Sequence, residues 1–499
     1  MDISSSSSPT TSILRSGKKC TYFRGWLLVS FCGLFGVSLL FLALVYPPSV
    51  RILVLASLGI ALVVVLFRQT HKVILSLLFL GPFTDILITL FFSNIPLIGT
   101  WKDLIVAGIV VKGIWLAMSP DFQWRFSWLD CAVCVFILEY ALSIVLTPNL
   151  AVWLYGFRWY TAYAFLYLAL KAYRFTAREL SQMLTAAAAG LILSAIIGFA
   201  LLQILGEERL SLLWENLFKA GSFWREGHFR WQGTLTSPIV GSICFALLLI
   251  VGVAHLLQGK SWGVYIPITC VGAYALFLTY SRTGWLIGAV GITVMVLMVG
   301  KQFHARKTVI VVLLLAVVSS IVVVSLNPEV LNILTQKNEM DDYRLRSFET
   351  VFTGAVRHPF GVGVGTAGAM AFGAQRFGGS SAVVDPVVGD SVLLAVLRDT
   401  GWIGMFSLIA IAAGFTATAH KVFRNAWSKE MRIFALAYFG FSVGILVSLM
   451  DDFDVWPVAF YFWLFGAMVV AMAEGRVEEP GNTTVSSAKS IMKNKQCTD

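Results

Sequence analysis

The sequence predicts an all-α, polytopic membrane protein with about 12–14 transmembrane helices and two extracytoplasmic helical loops, and three observations carry that prediction. Of its 499 residues 58% are hydrophobic and only 13% charged, at a mean hydropathy of +0.81, which leaves too little polar surface for a water-soluble fold. Apolar runs of about 20 residues, the length a spanning helix needs, recur along the chain. Basic residues gather in alternate short connections, as the positive-inside rule requires.

The expected spans are 25–46, 50–67, 72–92, 101–118, 128–146, 157–173, 182–205, 237–257, 262–280, 283–300, 307–325, 402–420, 433–450 and 457–474. The basic connections Arg68 to Lys72, Lys171 to Arg178, Lys301 to Lys307 and Lys421 to Arg432 alternate correctly when both termini are cytoplasmic. This gives a cytoplasmic tail over 1–24, helices over 25–326, a large extracytoplasmic loop over 327–401, three last helices over 402–474 and a polar cytoplasmic tail over 475–499. A second extracytoplasmic loop, 206–236, interrupts the first block. Both long loops carry apolar and aromatic residues and are expected to lie half-buried over the membrane.

The same charge rule explains the formal +10 that 37 Lys+Arg and 27 Asp+Glu produce, so no nucleic-acid partner is implied. The apolar run after MDISSSSSPTTSILRSGKKCTYFRG is too long for a signal peptide and ends in no A-x-A site, so the first span is read as retained. The seven cysteines suggest no disulfide framework. Cys131 and Cys134 form a C-x-x-C inside an apolar span without neighbouring histidines, which reads as core residues rather than a metal site.

Basic residues on the outer face need a separate reason. Arg158, Arg225, Arg230, Arg282, Arg344 and Arg346 all map there, at the membrane boundary. A guanidinium held near hydrocarbon costs roughly 2.5–3.5 kcal/mol and is by default a functional candidate. Its planar fork suits phosphate, and one contact at about 4 Å and an effective dielectric near 20 is worth on the order of 4 kcal/mol before desolvation. Two or three convergent arginines would therefore hold a diphosphate. Snorkelling to lipid headgroups competes evenly for Arg225 and Arg344. It competes less for Arg282, whose turn Tyr280–Thr283 is so short that the arginine must begin or cap a helix.

A second polar cluster is VVDPVVGDSVLLAVLRDTGWIG, in which Asp390 precedes Ser391 and an apolar run. Helix capping and general-base catalysis are both open to Asp390. His358 precedes a Gly-rich loop that lacks the ending of a phosphate-binding P-loop. His71, His255, His304 and His420 are scattered at cytoplasmic ends and suggest no metal site. The intramembrane acids Asp85 and Glu139 would relay protons in a transporter, or pair with neighbours such as Lys102.

RWQGTLTSP, LTYSRTGWL, RLRSFETVFTGAVRHPFGVGVGTAG, GDSVLLAVLRDTGWIG and DDFDVWPVAFYFWLFGAM, in this order over roughly two thirds of the chain, resemble the O-antigen ligase and polymerase family of membrane glycosyltransferases. The resemblance implies an inverting, metal-independent transferase with no cofactor, working on the outer leaflet of the bacterial inner membrane. It would take glycan from an undecaprenyl-diphosphate-linked oligosaccharide and pass it to the hydroxyl of a glycan acceptor. It would work among membrane lipid, beside a chain-length regulator or flippase. Arg282 and Arg230 would neutralise the diphosphate, Asp390 would be the base, and Arg158, Arg344 and Arg346 would bind substrate. Ligases of the family carry a His before Asn or Ser where this chain has Asp390–Ser391. That departure favours a polymerase of exopolysaccharide or cell-wall glycan over a ligase acting on lipid A core. The competing classes are a multispanning solute transporter, including a role in inorganic carbon accumulation to which some family members are linked, and a structural envelope subunit.

Overall fold

A computed structural model describes residues 68–87, 101–120, 122–147, 149–218, 223–225, 227–300, 339–365, 391–448, 451 and 453–478. Lipid offers backbone N–H and C=O groups no partner, so a chain this apolar folds into helices that satisfy those groups internally. The described helices are α1 (Arg68–Leu87), α2 (Trp101–Ala117), α3 (Trp128–Leu142), α4 (Leu150–Leu170), α5 (Ala177–Phe218) and α6 (Pro238–Leu257). They continue with α7 (Trp262–Leu278), α8 (Arg282–Val299), α9 (Glu339–Arg357), α10 (Val392–Asn425), α11 (Lys429–Val447) and α12 (Val458–Ala473). Two short pairings accompany them: the antiparallel hairpin Trp224–Arg225 with His228–Phe229, and a parallel contact of Phe175–Thr176 with Val477–Glu478.

Seven of the helices are long and apolar enough to cross a membrane, and α7 and α12 are shorter apolar helices. The chain is an all-α, multi-pass membrane protein. Local sequence sets the starts. Ser127 and Asp130 form a capping box at α3, Asn149 caps α4, Ser237 caps α6 ahead of Pro238, and Ser428 caps α11. The expected spans 25–46, 50–67 and 307–325 lie outside the described residues.

Two helices run further than hydropathy implies. α5 continues through a kink at Gly206 (φ 74°, ψ 168°) to Phe218, so the expected helical loop 206–236 begins as a helix continuous with the span before it, with Trp214 fully buried. α10 begins at Val392 and passes a kink at Gly401 (φ 73°, ψ −162°) before the expected span at 402. In both cases a glycine in a conformation open to it lets the chain turn without ending the helix.

Inside the bundle α6 and α12 are buried on almost every side, which is why both are apolar all round instead of striped. Small residues let helices approach. Gly291 of α8 faces the backbone of Gly440 in α11, where a Cβ would lie 2.8 Å from the Gly440 carbonyl oxygen. The buried Lys171, at the end of α4, donates to Asp130 of α3 at 2.6 Å and to Glu474, at the end of α12, at 2.8 Å. Tyr167 donates to the other Asp130 oxygen at 2.8 Å. Losing Lys171 strands a buried carboxylate, a change that typically costs about 3–5 kcal/mol. Lys171→Met is therefore expected to lower the melting temperature of the purified protein markedly, and an unchanged melting curve would show that the triad does not hold these three helices.

Candidate functional site

Only Thr279, Tyr280 and Ser281 separate α7 from α8. So tight a reversal forces Tyr280 to a positive φ of 45°, rare for a residue with a side chain. Its ring is held by stacking on His228, with centroids 5.0 Å apart and planes 15° from parallel. Ser281 is buried and accepts a hydrogen bond from Ser242 of α6 at 3.0 Å. Arg282 is thus fixed as the first residue of α8.

The segment carrying Arg230 is laid on the same turn. The Arg230 N–H donates to the Phe223 carbonyl at 2.7 Å, and the Trp231 N–H donates to the Leu278 carbonyl at 3.0 Å. The Arg230 Nε donates to the Thr279 carbonyl at 3.5 Å. Trp231 stacks on Phe245 of α6, which anchors the segment to the buried helix. Two arginines 52 positions apart in the chain, 230 and 282, therefore flank one three-residue turn.

A second connection leads from this turn to the head of α10. Thr283 donates to the Asp451 carboxylate, and Asp451 pairs through its backbone with Ser391 in an isolated antiparallel bridge. Ser391 stands at the N-cap position of α10. Asp390 itself lies outside the described residues, but its neighbour is one bridge from Asp451 and Asp451 is one hydrogen bond from the residue after Arg282. Asp451, buried at the membrane boundary, was not singled out by the sequence. The signal that would have found it is the one applied to the arginines: a charge held at the edge of hydrocarbon needs a reason.

The other candidates are distributed differently. Arg158 on α4 pairs with Asp103 of α2 at 3.4 Å and lies over the Tyr155 ring at 4.9 Å. These contacts tie α4 to α2 rather than to the turn at Arg282. Arg346 is exposed on α9, whose opposite face buries Ser347, Val351 and Ala355, the last two packing against Leu394, Ala395 and Met405 of α10. The side chains of Arg344 and Arg225 lie outside the description. Asp85 is answered by Lys102 at 3.3 Å, which gives this acid a structural partner.

The glycine-rich loop after α9 braces the kink in α10. Val362 and Gly363 donate their N–H groups to the carbonyls of Arg398 and Asp399 at 2.9 and 3.1 Å, and Trp402 donates to the Pro359 carbonyl at 3.1 Å. The buried Asp399 carboxylate accepts from the Gly365 N–H at 3.3 Å. Gly361 has φ 81°, and a Cβ there would sit 2.3 Å from the Asp399 carbonyl oxygen. Gly361 and Gly363 of HPFGVGVG are thus required by close backbone packing.

Three residues after Asp451, buried Asp454 accepts from the Trp159 indole N–H at 2.8 Å. Burial pushes its carboxyl up to about 6, against the opposing effects of the Trp159 and backbone hydrogen bonds.

Residues 268–409 match the family model described as O-antigen ligase. The matched stretch runs from α7 through the Arg282 turn, α9 and the glycine loop into α10, and so contains Arg282, Arg344, Arg346 and Asp390 but neither Arg230 nor Asp451. The resemblance read from the sequence is supported over this O-antigen ligase stretch, and with it a membrane function in ligating or polymerising glycan in general. No curated protein matches the chain.

Two outcomes follow from this geometry. Gly361→Val places a branched side chain against backbone at a positive φ, so a loss on the order of 2 kcal/mol or more is expected in thermal unfolding, and a fully stable variant would show that the loop does not brace the kink. For Asp454 the folded value lies above the ordinary carboxylate value of about 4. Its contribution to stability is thus fully present below about pH 4 and is lost as pH rises through about 6. The melting temperature of Asp454→Asn, measured across that window, should depend less on pH than wild type; parallel curves would contradict the assignment.

Proposed function

We propose that this protein is a membrane glycosyltransferase that polymerises undecaprenyl-diphosphate-linked glycan on the outer leaflet of the bacterial inner membrane, with polymerisation favoured over ligation. The acceptor hydroxyl oxygen attacks the anomeric carbon, the bond from that carbon to the diphosphate oxygen breaks, and the configuration inverts. Arg282 and Arg230 stabilise the charge that develops on the departing diphosphate. Asp390 takes the proton from the attacking hydroxyl. Arg344 and Arg346 on α9 bind the glycan, and Arg158, through its pair with Asp103, supports the wall formed by α2 and α4. Asp451 is a positioning residue, holding the head of α10 against the start of α8. No metal takes part in this scheme.

The observation that carries the reading is the docking of the Arg230 segment on the turn that begins with Thr279 and delivers Arg282. The thread from Thr283 through Asp451 to Ser391 supports a carboxylate nearby. A diphosphate needs convergent cations, and this turn gathers two arginines at one helix start, where the helix dipole adds further positive potential.

The test is the glycan and carrier profile of cells lacking the protein, complemented by wild type or by variants. Single repeat units should accumulate on the carrier while long polymer disappears. Arg282→Ala and Arg230→Ala should each lower turnover by about two to three orders of magnitude, the usual cost of removing one donor from a developing anion. Arg282→Lys should recover only part, because the ammonium keeps the charge and loses the fork. An unchanged glycan profile in the deleted cells would overturn the proposal.

A further inference from the structure

α9 is not among the helices apolar enough to span, yet it shows an apolar face that the described fold leaves open. At about 3.6 residues per turn its side chains sort into three lines. Ser347, Val351 and Ala355 share one line and are buried, the last two against α10. Arg346, Thr350, Thr353 and Arg357 share a second and are exposed, as polar groups can be at no cost. The third line is apolar and uncovered: Leu345 is 61% exposed, Phe352 40% and Val356 74%. This stripe is read from Leu345 onward, because the side chains of 341–344 lie outside the described residues.

The rotation of α9 that displays the stripe is fixed by a backbone vacancy. Pro359 has no N–H, so the Ala355 carbonyl four residues earlier lacks its helical donor. The Trp402 indole N–H donates to that carbonyl at 3.2 Å instead. One bond therefore locks α9 to the residue that opens the expected span 402–420.

The same contact sets the level at which the stripe lies. Phe352 meets the Trp402 ring at 5.7 Å, and Trp402 stacks on Phe406 at 5.8 Å, so the apolar surface of α9 runs without a break onto α10. Phe406, one turn into the spanning stretch, is 58% exposed. What surrounds such a stretch is hydrocarbon, and tryptophan marks the level where hydrocarbon meets headgroups. A surface that continues from Phe406 through Trp402 to Phe352 lies against the same acyl chains. The exposed charges fit that level too. Arg346 and Arg357 stand on the neighbouring line, where their apolar stems can follow the helix while the guanidinium stays in water. An apolar stripe beside an arginine-bearing face is the pattern of a helix lying in the plane of the membrane interface.

We propose that α9 is an interfacial helix whose stripe of Leu345, Phe352 and Val356 is immersed among the acyl chains of the bilayer, beside the start of the α10 span. Lipid then holds α9 from one side as α10 holds it from another. The inference goes beyond the glycosyltransferase reading and uses neither the turn at Arg282 nor a substrate.

The test places a nitroxide label on the full-length protein in phosphatidylethanolamine–phosphatidylglycerol vesicles, with the seven native cysteines replaced and the melting temperature checked against wild type. Collisions of the label with oxygen, which concentrates in hydrocarbon, are compared with collisions with a water-soluble nickel chelate. At Leu345→Cys and Val356→Cys oxygen should outpace the chelate, and at Thr350→Cys the order should reverse. Chelate ahead at Leu345→Cys and Val356→Cys would overturn the proposal by placing the stripe in water. Exclusion of both reagents would overturn it by assigning the stripe to a protein partner or to another segment of this chain. A second measurement keeps the native cysteines: a benzoylphenylalanine at position 356, irradiated in the same vesicles, should gain the mass of a phospholipid, and a protein adduct alone would contradict the immersion. Arg282→Ala should leave both results unchanged, which separates failure here from failure of the proposed transferase activity.

Discussion

Hydrocarbon gives a polar group nothing to bond to, and that constraint arranges the whole molecule. α12 shows it most simply: from Val458 to Met472 every residue is buried, and all are uncharged, while Asp454 and Glu474 stand just beyond its two ends. Charge around this helix stands at the level of either end, because a charge at mid-depth costs several kcal/mol and one at the boundary much less. At one level lie the turn before Arg282, Asp451 and Ser391. At the other lie Lys171, Asp130, Glu474 and Arg476, tied by bonds of 2.6 to 2.9 Å. The apolar helices between them, α6 and α12 above all, keep these two chemistries apart.

The turn at Arg282 is where this economy is violated on purpose. A positive φ at Tyr280 costs on the order of 1–3 kcal/mol, offset by the stacking of its ring on His228. Arginine at the first position of a helix adds its charge to the positive end of the dipole, an arrangement unfavourable by a few tenths to about 1 kcal/mol unless an anion is near. Asp451 accepts from Thr283 one residue on, which eases part of that field. The Arg230 segment brings a second guanidinium to the same turn. Strain, dipole and like charge all run against stability at this turn.

How much of this was readable depends on which physical term wrote each feature. The spans follow solvation, so hydropathy placed 237–257 over Pro238–Leu257 and 262–280 over Trp262–Leu278 within two residues. Hydropathy stops where charge begins, and for that reason it missed the continuation of α5 past Gly206 into GEER, where the backbone stays helical although the side chains turn polar. The same blindness hid the first nine residues of α10 before Gly401. Arg282 was legible because a short turn between two spans admits few conformations. The docking of Arg230 was not, since it rests on backbone hydrogen bonds between stretches some fifty residues apart, which no periodicity records. Asp451 escaped because the positive-inside rule weighs basic residues and is nearly silent on acids.

The first part of α10 shows how the motifs cooperate. Residues 392–400 form a rigid rod of about 13 Å, pinned at one end by the bridge from Ser391 to Asp451 and at the other by the glycine loop that grips Arg398 and Asp399. HPFGVGVG and RDTGWIG resemble the family's sequences and lie in the matched stretch, yet their work is mechanical: Gly361 and Gly401 exist so that two backbones can touch. Between them they set where Ser391 stands, at the N-cap of α10. A family resemblance expects histidine just before Ser391, and this chain has Asp390 there. A carboxylate works as a base near neutral pH only if its surroundings raise its affinity for a proton, and burial does this for Asp454, three residues after Asp451, whose carboxyl it pushes up to about 6.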